Sequence, residues 1–168
     1  PGNRSAMRRL VIGDKQLSSW SLRPWMLLRH LGLPFEEIRL PLDTPRFHDE
    51  IGRYSPSGRV PVLLDEGLVV WDSLAICEYL DEIHPEPQLL PGSARDRAIV
   101  RGMAMVVACD THPLNNLPIM GYLRREFGAD DAAVNRWVAH WIGRGFAGLE
   151  RWVGSIPGAP VEVDQQRF

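Results

Sequence analysis

The chain has few cysteines, no excess of charge of either sign and no long apolar run. Its 168 residues include two cysteines, Cys77 and Cys109, each within an apolar helical pattern. Their separation excludes a CxxC redox pair and a cysteine-rich zinc site, so we expect two free, buried thiols and no metal. Lysine and arginine number 19 against 21 aspartates and glutamates, which predicts no basic surface for nucleic acid.

The absence of long apolar runs also excludes a membrane span, which needs roughly 20 consecutive apolar residues. No signal-peptide pattern precedes the first apolar run, so we expect a cytoplasmic protein without membrane association. The opening letters PGNRSA are typical of a remnant of an expression tag, and Met7 is the expected natural start. Apolar residues make up 45% of the chain, enough for one sizeable core or two small ones.

The first half of the chain alternates short apolar runs with helical patterns. Strands are predicted at residues 10–12, 35–40, 60–64 and 68–71. Helices are predicted from Ser21 to Gly32 with Pro24 in the first turn, at residues 46–53, and after a cap at Ser73. The order βαβαββα predicts an α/β, thioredoxin-like domain over residues 7–84.

The second half predicts an all-α domain joined by a linker. Prolines and a glycine crowd residues 85–92 and exclude regular structure there. Helical periodicity follows at residues 93–109 and 130–153, so a helical bundle is predicted over residues 93–168. Three tryptophans share one helical stripe and are predicted to pack in its core: Trp137, Trp141 and Trp152.

The letters SSWS place three hydroxyls, Ser18, Ser19 and Ser21, at the start of the first helix. One serine is enough to cap a helix, and one explanation of all three is that they are cap and turn residues without a chemical role. A helix start also stabilises an anion such as a thiolate. Because the chain has no cysteine at this point, the thiol would belong to a ligand, and a serine hydroxyl could donate to its sulfur.

Two further positions suggest ligand contacts in the same domain. Pro61 begins a strand, which indicates either an ordinary trans proline at a sheet edge or a cis Val60-Pro61 bond that turns the Val60 backbone towards a peptide ligand. Asp72 and Ser73 open another helix, where they either cap it or hold a carboxylate. A small peptide with a thiol, backbone groups and a free carboxylate matches all three signals, and glutathione has this chemistry.

These segments resemble the glutathione transferases, most closely the serine-type, zeta-like members that include maleylacetoacetate isomerases. The resemblance covers residues 7–117 and rests on five motifs: SSWS with RPW, LGLPFE, SPSGRVPVL, VVWDSLAICEYLDEIHPEPQLLPG and THPLNNL. It implies that Ser18, or Ser19 as the close alternative, activates the glutathione sulfur. The neighbouring Trp20 stands where zeta members have cysteine, and by position it belongs to the predicted glutathione site.

The resemblance assigns the remaining site residues by position. It implies that Val60 and Pro61 bind the cysteinyl backbone of glutathione, and that Asp72 and Ser73 bind its γ-glutamyl carboxylate. His112 and Asn116 match polar positions near the second-substrate site. Family members are longer than this chain, so the helical domain is expected to be incomplete.

The implied function is a glutathione transferase that uses glutathione as co-substrate, without a metal. Its thiolate would attack a small hydrophobic electrophile or support a glutathione-dependent isomerisation, and the family implies a homodimer. A non-catalytic scaffold protein that keeps the fold is the alternative. A dithiol oxidoreductase is excluded because SSWS supplies no cysteine.

Overall fold

The structure is a computed structural model that describes residues 7–155. Its four strands are β1 (Arg9–Ile12), β2 (Glu36–Arg39), β3 (Val62–Asp65) and β4 (Leu68–Trp71). Its α-helices are α1 (Ser19–His30), α2 (Pro45–Ile51), α3 (Ser73–Ile83), α4 (Ala94–Met105), α5 (Leu117–Phe127) and α6 (Asp131–Gly154). A π-helical segment (Val106–Thr111) and a 3-10 turn (Pro113–Asn115) follow α4. The chain forms two compact units, one up to Leu90 and one from Pro91.

The first unit is a four-stranded mixed sheet with the strand order β2-β1-β3-β4. β1 pairs parallel with β2 and antiparallel with β3, which forms a hairpin with β4. Successive β1 side chains point to opposite faces of the sheet, so Leu10 and Ile12 join one buried cluster and Val11 the other. The predicted βαβαββα, thioredoxin-like order is confirmed. β1 and β3 are the two inner strands of the sheet.

Two details of the predicted helices are wrong. Helix α1 begins at Ser19, two residues earlier than expected, so Pro24 lies in its second turn. Helix α3 is capped by Asp72, whose Oδ1 accepts a hydrogen bond of 2.9 Å from Leu74 N, and Ser73 is its first helical residue. Because the Asp72 carboxylate takes the capping bond, the Ser73 hydroxyl is left for another partner.

The second unit is helical, as predicted, and contains two elements that periodicity missed. Helix α5 starts after its cap Asn116 and ends at Gly128, which adopts φ 63°. Its apolar pattern is short and is interrupted by Gly121, which weakens the signal. The π-helical turn after α4 shifts the helical register, which a fixed period of 3.6 does not describe.

Two predictions about burial are wrong in part. Cys109 lies in the π-helical segment and is exposed, whereas Cys77 is half-buried on α3. Of the tryptophans predicted in the core, Trp137 is half-buried and donates from Nε1 to the carbonyl of Leu114 at 2.8 Å. Trp152, near the end of α6, is 43% exposed and does not belong to the core.

The proline-rich segment after α3 is attached to that helix. Asp81 is buried, and its two carboxylate oxygens accept hydrogen bonds from Leu89 N at 2.5 Å and Leu90 N at 3.3 Å. The predicted linker 85–92 contains the division between the two units. The predictions for residues 1–6 and for the tail after residue 155 lie outside the described residues. Within them, no helix is long and apolar enough to cross a membrane.

Candidate active site

The start of α1 is built from a pair of bonded serines. Ser18 is the N-cap: its Oγ accepts from Ser21 N at 3.2 Å and donates to Ser21 Oγ at 2.9 Å. Ser21 Oγ also accepts from Gly13 N at 3.2 Å, which ties the helix start to the end of β1. Both serines are buried, with Ser18 7% exposed. The bond from Ser21 N therefore holds the Ser18 oxygen in place, and the hydroxyl proton is free to rotate to another acceptor.

The two residues that follow Ser18 lie in the first turn of the helix and are more exposed. Ser19 is exposed, and Trp20 is half-buried. The free amides of this turn stabilise negative charge without a charged side chain. Pro24 has no N–H to donate to the carbonyl of Trp20, so the ordinary helical bond from that position is missing.

The Val60-Pro61 peptide bond is cis, the ligand-binding alternative of the two that the sequence left open. Both residues are buried and immediately precede β3. The preceding loop is held by Ser55, whose Oγ accepts from Arg59 N at 3.0 Å and lies 3.1 Å from Ser57 Oγ. The loop thus brings Ser57 and Arg59 to the side of Val60.

The start of α3 is the third component. Asp72 is exposed and has φ 74°, a left-handed conformation that non-glycine residues seldom adopt. Ser73 is 1% exposed, and its Oγ accepts a hydrogen bond of 2.9 Å from Arg23 Nη1 of α1. This bond joins two helix starts that lie 50 residues apart in sequence.

An open cleft of about 250 Å³ lies among these components. Five of its lining residues were predicted to bind glutathione: Trp20, Val60, Pro61, Asp72 and Ser73. Three more were not predicted: Ser57, Arg59 and Trp71. They adjoin predicted residues in sequence, and that adjacency is the only signal that could have identified them. Ser18 and Ser19 do not line this cleft, so their predicted catalytic role rests on their place at the start of α1.

Arg23 lies close to Cys77 as well as to Ser73. Burial raises the pKa of the Cys77 thiol, one turn along α3 from Ser73, to about 11, although the nearby Arg23 charge acts to lower it. Cys77 is therefore a neutral thiol near pH 7. Arg23 was not predicted from the sequence, because an arginine inside a helical pattern carries no functional signal by itself.

The predicted second-substrate residues belong to the other unit. His112 is half-buried between the π-helical segment and the 3-10 turn. Asn116 caps α5 by accepting from Leu117 N at 2.8 Å. Their neighbours Thr111 and Asn115 each carry a buried side-chain oxygen without a hydrogen-bond partner. The role of His112 and Asn116 towards a second substrate stays a prediction.

Residues 7–155 contain no group of three or more histidine, cysteine, aspartate or glutamate side chains arranged to hold a metal ion. The groups around the cleft are hydroxyls, backbone amides, an arginine, an aspartate and tryptophans. These groups suit a polar organic ligand that carries charged ends.

Comparisons with known proteins identify the family. Residues 17–83 match the family model described as glutathione S-transferase, N-terminal domain. The maleylpyruvate isomerase of a Ralstonia species is 40% identical over 141 residues, which are 83% of this chain and 66% of that protein. A probable maleylacetoacetate isomerase of Vibrio cholerae is 48% identical over 103 residues, 61% of this chain and 48% of that protein. The chain thus spans about half to two thirds of the length of these relatives.

Solved structures agree with the sequence matches. The holo structure of a maleyl pyruvate isomerase, a bacterial glutathione S-transferase of the Zeta class, superposes on this chain with a TM-score of 0.83 at 37% identity. The match covers 89% of this chain and 70% of that one. A maleylacetoacetate isomerase of Anaeromyxobacter dehalogenans with bound GSH superposes with a TM-score of 0.73 at 31% identity. That match covers 90% of this chain and 71% of the other. These likenesses show that the chain belongs to the glutathione S-transferase family, among relatives of the zeta class.

Proposed function

We propose that this protein is a glutathione-dependent enzyme that binds glutathione in the cleft beside Val60 and Ser73 and uses its thiolate as a nucleophile. The cysteinyl backbone would pair with Val60, and the γ-glutamyl carboxylate would lie against the start of α3. The thiol would then reach the start of α1. The observation that carries the proposal is that one cleft gathers all five residues predicted to bind this ligand.

Ser18 is the proposed donor to the glutathione sulfur. Its Oγ is held by Ser21 N, so only its proton has to turn from Ser21 Oγ towards the ligand. The hydroxyl and the helix start together stabilise the thiolate relative to the thiol. A lowering of the bound thiol's pKa by about 2 units corresponds to roughly 2.7 kcal/mol, which is within reach of these two effects.

The names of the relatives, maleylpyruvate isomerase and maleylacetoacetate isomerase, suggest a substrate with a cis double bond conjugated to a carbonyl. The thiolate adds to one alkene carbon, and the electron pair moves to the carbonyl oxygen. Rotation about the new single bond and loss of the thiolate give the trans isomer and regenerate glutathione. Protonation of the adduct instead gives the conjugate, so isomerisation and transfer share their first step.

Trp20 bears on the choice between the two reactions. Its indole lines the cleft at the position where zeta members have cysteine. We therefore propose both outcomes of the adduct, with a small maleyl compound or a hydrophobic conjugated alkene as the acceptor. A homodimer and a cytoplasmic location are part of the same proposal by family resemblance.

The experiment that tests this function is a pH titration of bound glutathione, monitored by thiolate absorbance in the ultraviolet. The proposal expects a pKa for the bound thiol well below that of free glutathione, and turnover of a maleyl compound or a conjugated alkene. Saturable binding with an unshifted pKa and no turnover of either acceptor would favour the alternative, a binding or scaffold protein that keeps the fold.

A further inference from the structure

We infer that Arg23 is a positioning residue of the glutathione site, which acts through the Ser73 hydroxyl and selects ligands with a carboxylate. The inference rests on the function proposed above and adds a residue outside the predicted site. Arg23 lies in α1 and Ser73 at the start of α3, and their 2.9 Å hydrogen bond connects the two helix starts.

The direction of this bond determines what Ser73 can do. The guanidinium only donates, so the bond uses a lone pair of Ser73 Oγ and leaves the hydroxyl proton for an acceptor. Accepting from a cation also polarises the hydroxyl and makes it a stronger donor. Ser73 is 1% exposed, so its side chain has little freedom to turn away.

The surroundings of Ser73 favour an anionic acceptor. Ser73 lines the cleft and lies at the amino end of α3, where the helix dipole adds partial positive charge. A ligand carboxylate beside Ser73 therefore gains from both the polarised hydroxyl proton and the helix start.

Arg23 therefore affects the binding and selection of the ligand and does not act on the reacting sulfur. Loss of Arg23 should weaken binding of ligands that carry the γ-glutamyl carboxylate and leave turnover at saturating glutathione unchanged. A residue that merely stabilised α1 against α3 would weaken every ligand of the cleft to the same degree.

The test measures the dissociation constant of two ligands by calorimetry on the full chain. One is glutathione, and the other is an analogue in which 4-aminobutanoyl replaces the γ-glutamyl group, so that only the α-carboxylate is missing. For Arg23→Gln we expect glutathione binding to weaken about tenfold and analogue binding to change less than twofold. Arg23→Lys, which keeps the charge, should recover part of the loss.

Two controls accompany these variants. Arg29→Gln removes another arginine of α1, whose side chain is 62% exposed and pairs with Glu37 at 3.6 Å, and should leave both ligands unaffected. The double variant Arg23→Gln/Ser73→Ala should bind glutathione no worse than Ser73→Ala, because the two residues act as a unit. In steady state, KM for glutathione should rise in Arg23→Gln while kcat stays within twofold.

Equal losses for glutathione and the analogue, additive losses in the double variant, or no loss in either Arg23 variant would overturn the inference. If Arg23→Gln does not fold, the same comparison of glutathione with the analogue is made on Arg23→Lys. Failure of the wild-type protein to bind glutathione would instead overturn the proposed function, and this inference with it.

Discussion

Ser18 and Ser21 are joined twice at the start of α1, by a 2.9 Å bond between their hydroxyls and a 3.2 Å bond from Ser21 N to Ser18 Oγ. Capping and activation of a ligand thiol therefore involve the same oxygen. The backbone bond keeps that oxygen at the helix start while the proton changes its acceptor. A single residue can serve both roles, because the first uses the oxygen as an acceptor and the second uses its proton.

Ser18→Ala should lower kcat far more than it weakens glutathione binding, because the donor to the sulfur is lost while Val60 and Ser73 remain. We expect the pKa of bound glutathione to return towards its free value. Loss of the cap should also reduce stability by about 1 kcal/mol. Ser19→Ala, at the exposed neighbour, should change the thiol pKa much less. A larger effect from Ser19 than from Ser18 would assign the activation to Ser19.

The contact between Thr111 and Gly145 predicts a large cost for one added methyl group. A Cβ built at Gly145 lies within the space of Thr111 Oγ1, whereas one at Gly143 of the same helix meets nothing within 4 Å. Gly145→Ala should destabilise the protein by about 1–3 kcal/mol. Gly143→Ala should stabilise it by up to about 1 kcal/mol, because alanine favours the helix. Denaturant unfolding of both variants measures the difference.

A second substitution tests whether the Thr111 side chain causes that cost. Thr111→Ala in the Gly145→Ala background removes the colliding oxygen and should recover most of the lost stability. If the double variant is as unstable as Gly145→Ala alone, the strain lies elsewhere in α6.

Two ion pairs of equal length should contribute very differently to stability. Arg8 and Asp65 lie 2.9 Å apart with side chains 14% and 5% exposed, while Arg124 and Asp131, also 2.9 Å apart, are 48% and 87% exposed. Asp65→Asn leaves the Arg8 charge buried without its counter-charge and should cost about 3–5 kcal/mol. Asp131→Asn should cost less than about 1 kcal/mol. Similar losses in chemical denaturation would mean that burial does not govern these pairs.

The two thiols should differ in reactivity because of burial. Burial raises the pKa of Cys77 to about 11, so at pH 8 almost none of it is thiolate, and its reaction with iodoacetamide should accelerate only as the pH approaches that value. Cys109 is exposed and should be alkylated first. Mass spectrometry of peptides after timed labelling, with Cys109→Ser as control, measures both rates. Early labelling of Cys77 at pH 8 would contradict the assigned burial.

The sequence predicted the parts of the site that have local signatures. Serines before an apolar helix, a proline at a strand start and an Asp-Ser pair at a helix start each have a local physical reason, and Trp20, Val60 and Ser73 do line the cleft. Arg23 has no such signature, because its partner lies 50 residues away and only the packing of α1 against α3 brings them together. The π-helical turn was missed for a related reason, since its register departs from the period that identifies helices.

The backbone of Asp72 predicts that stability and binding respond in opposite directions. Its φ of 74° and ψ of 134° are strained for a side-chain-bearing residue, at a cost of about 1–3 kcal/mol that glycine avoids. As a cap, glycine is only a few tenths of a kcal/mol worse than aspartate. Asp72→Gly should therefore raise the melting temperature while it weakens glutathione binding. Asp72→Ala, which loses the cap and keeps the strain, should lower both the melting temperature and the affinity for glutathione. A lower melting temperature for Asp72→Gly would show that the aspartate side chain stabilises the site more than its backbone strains it.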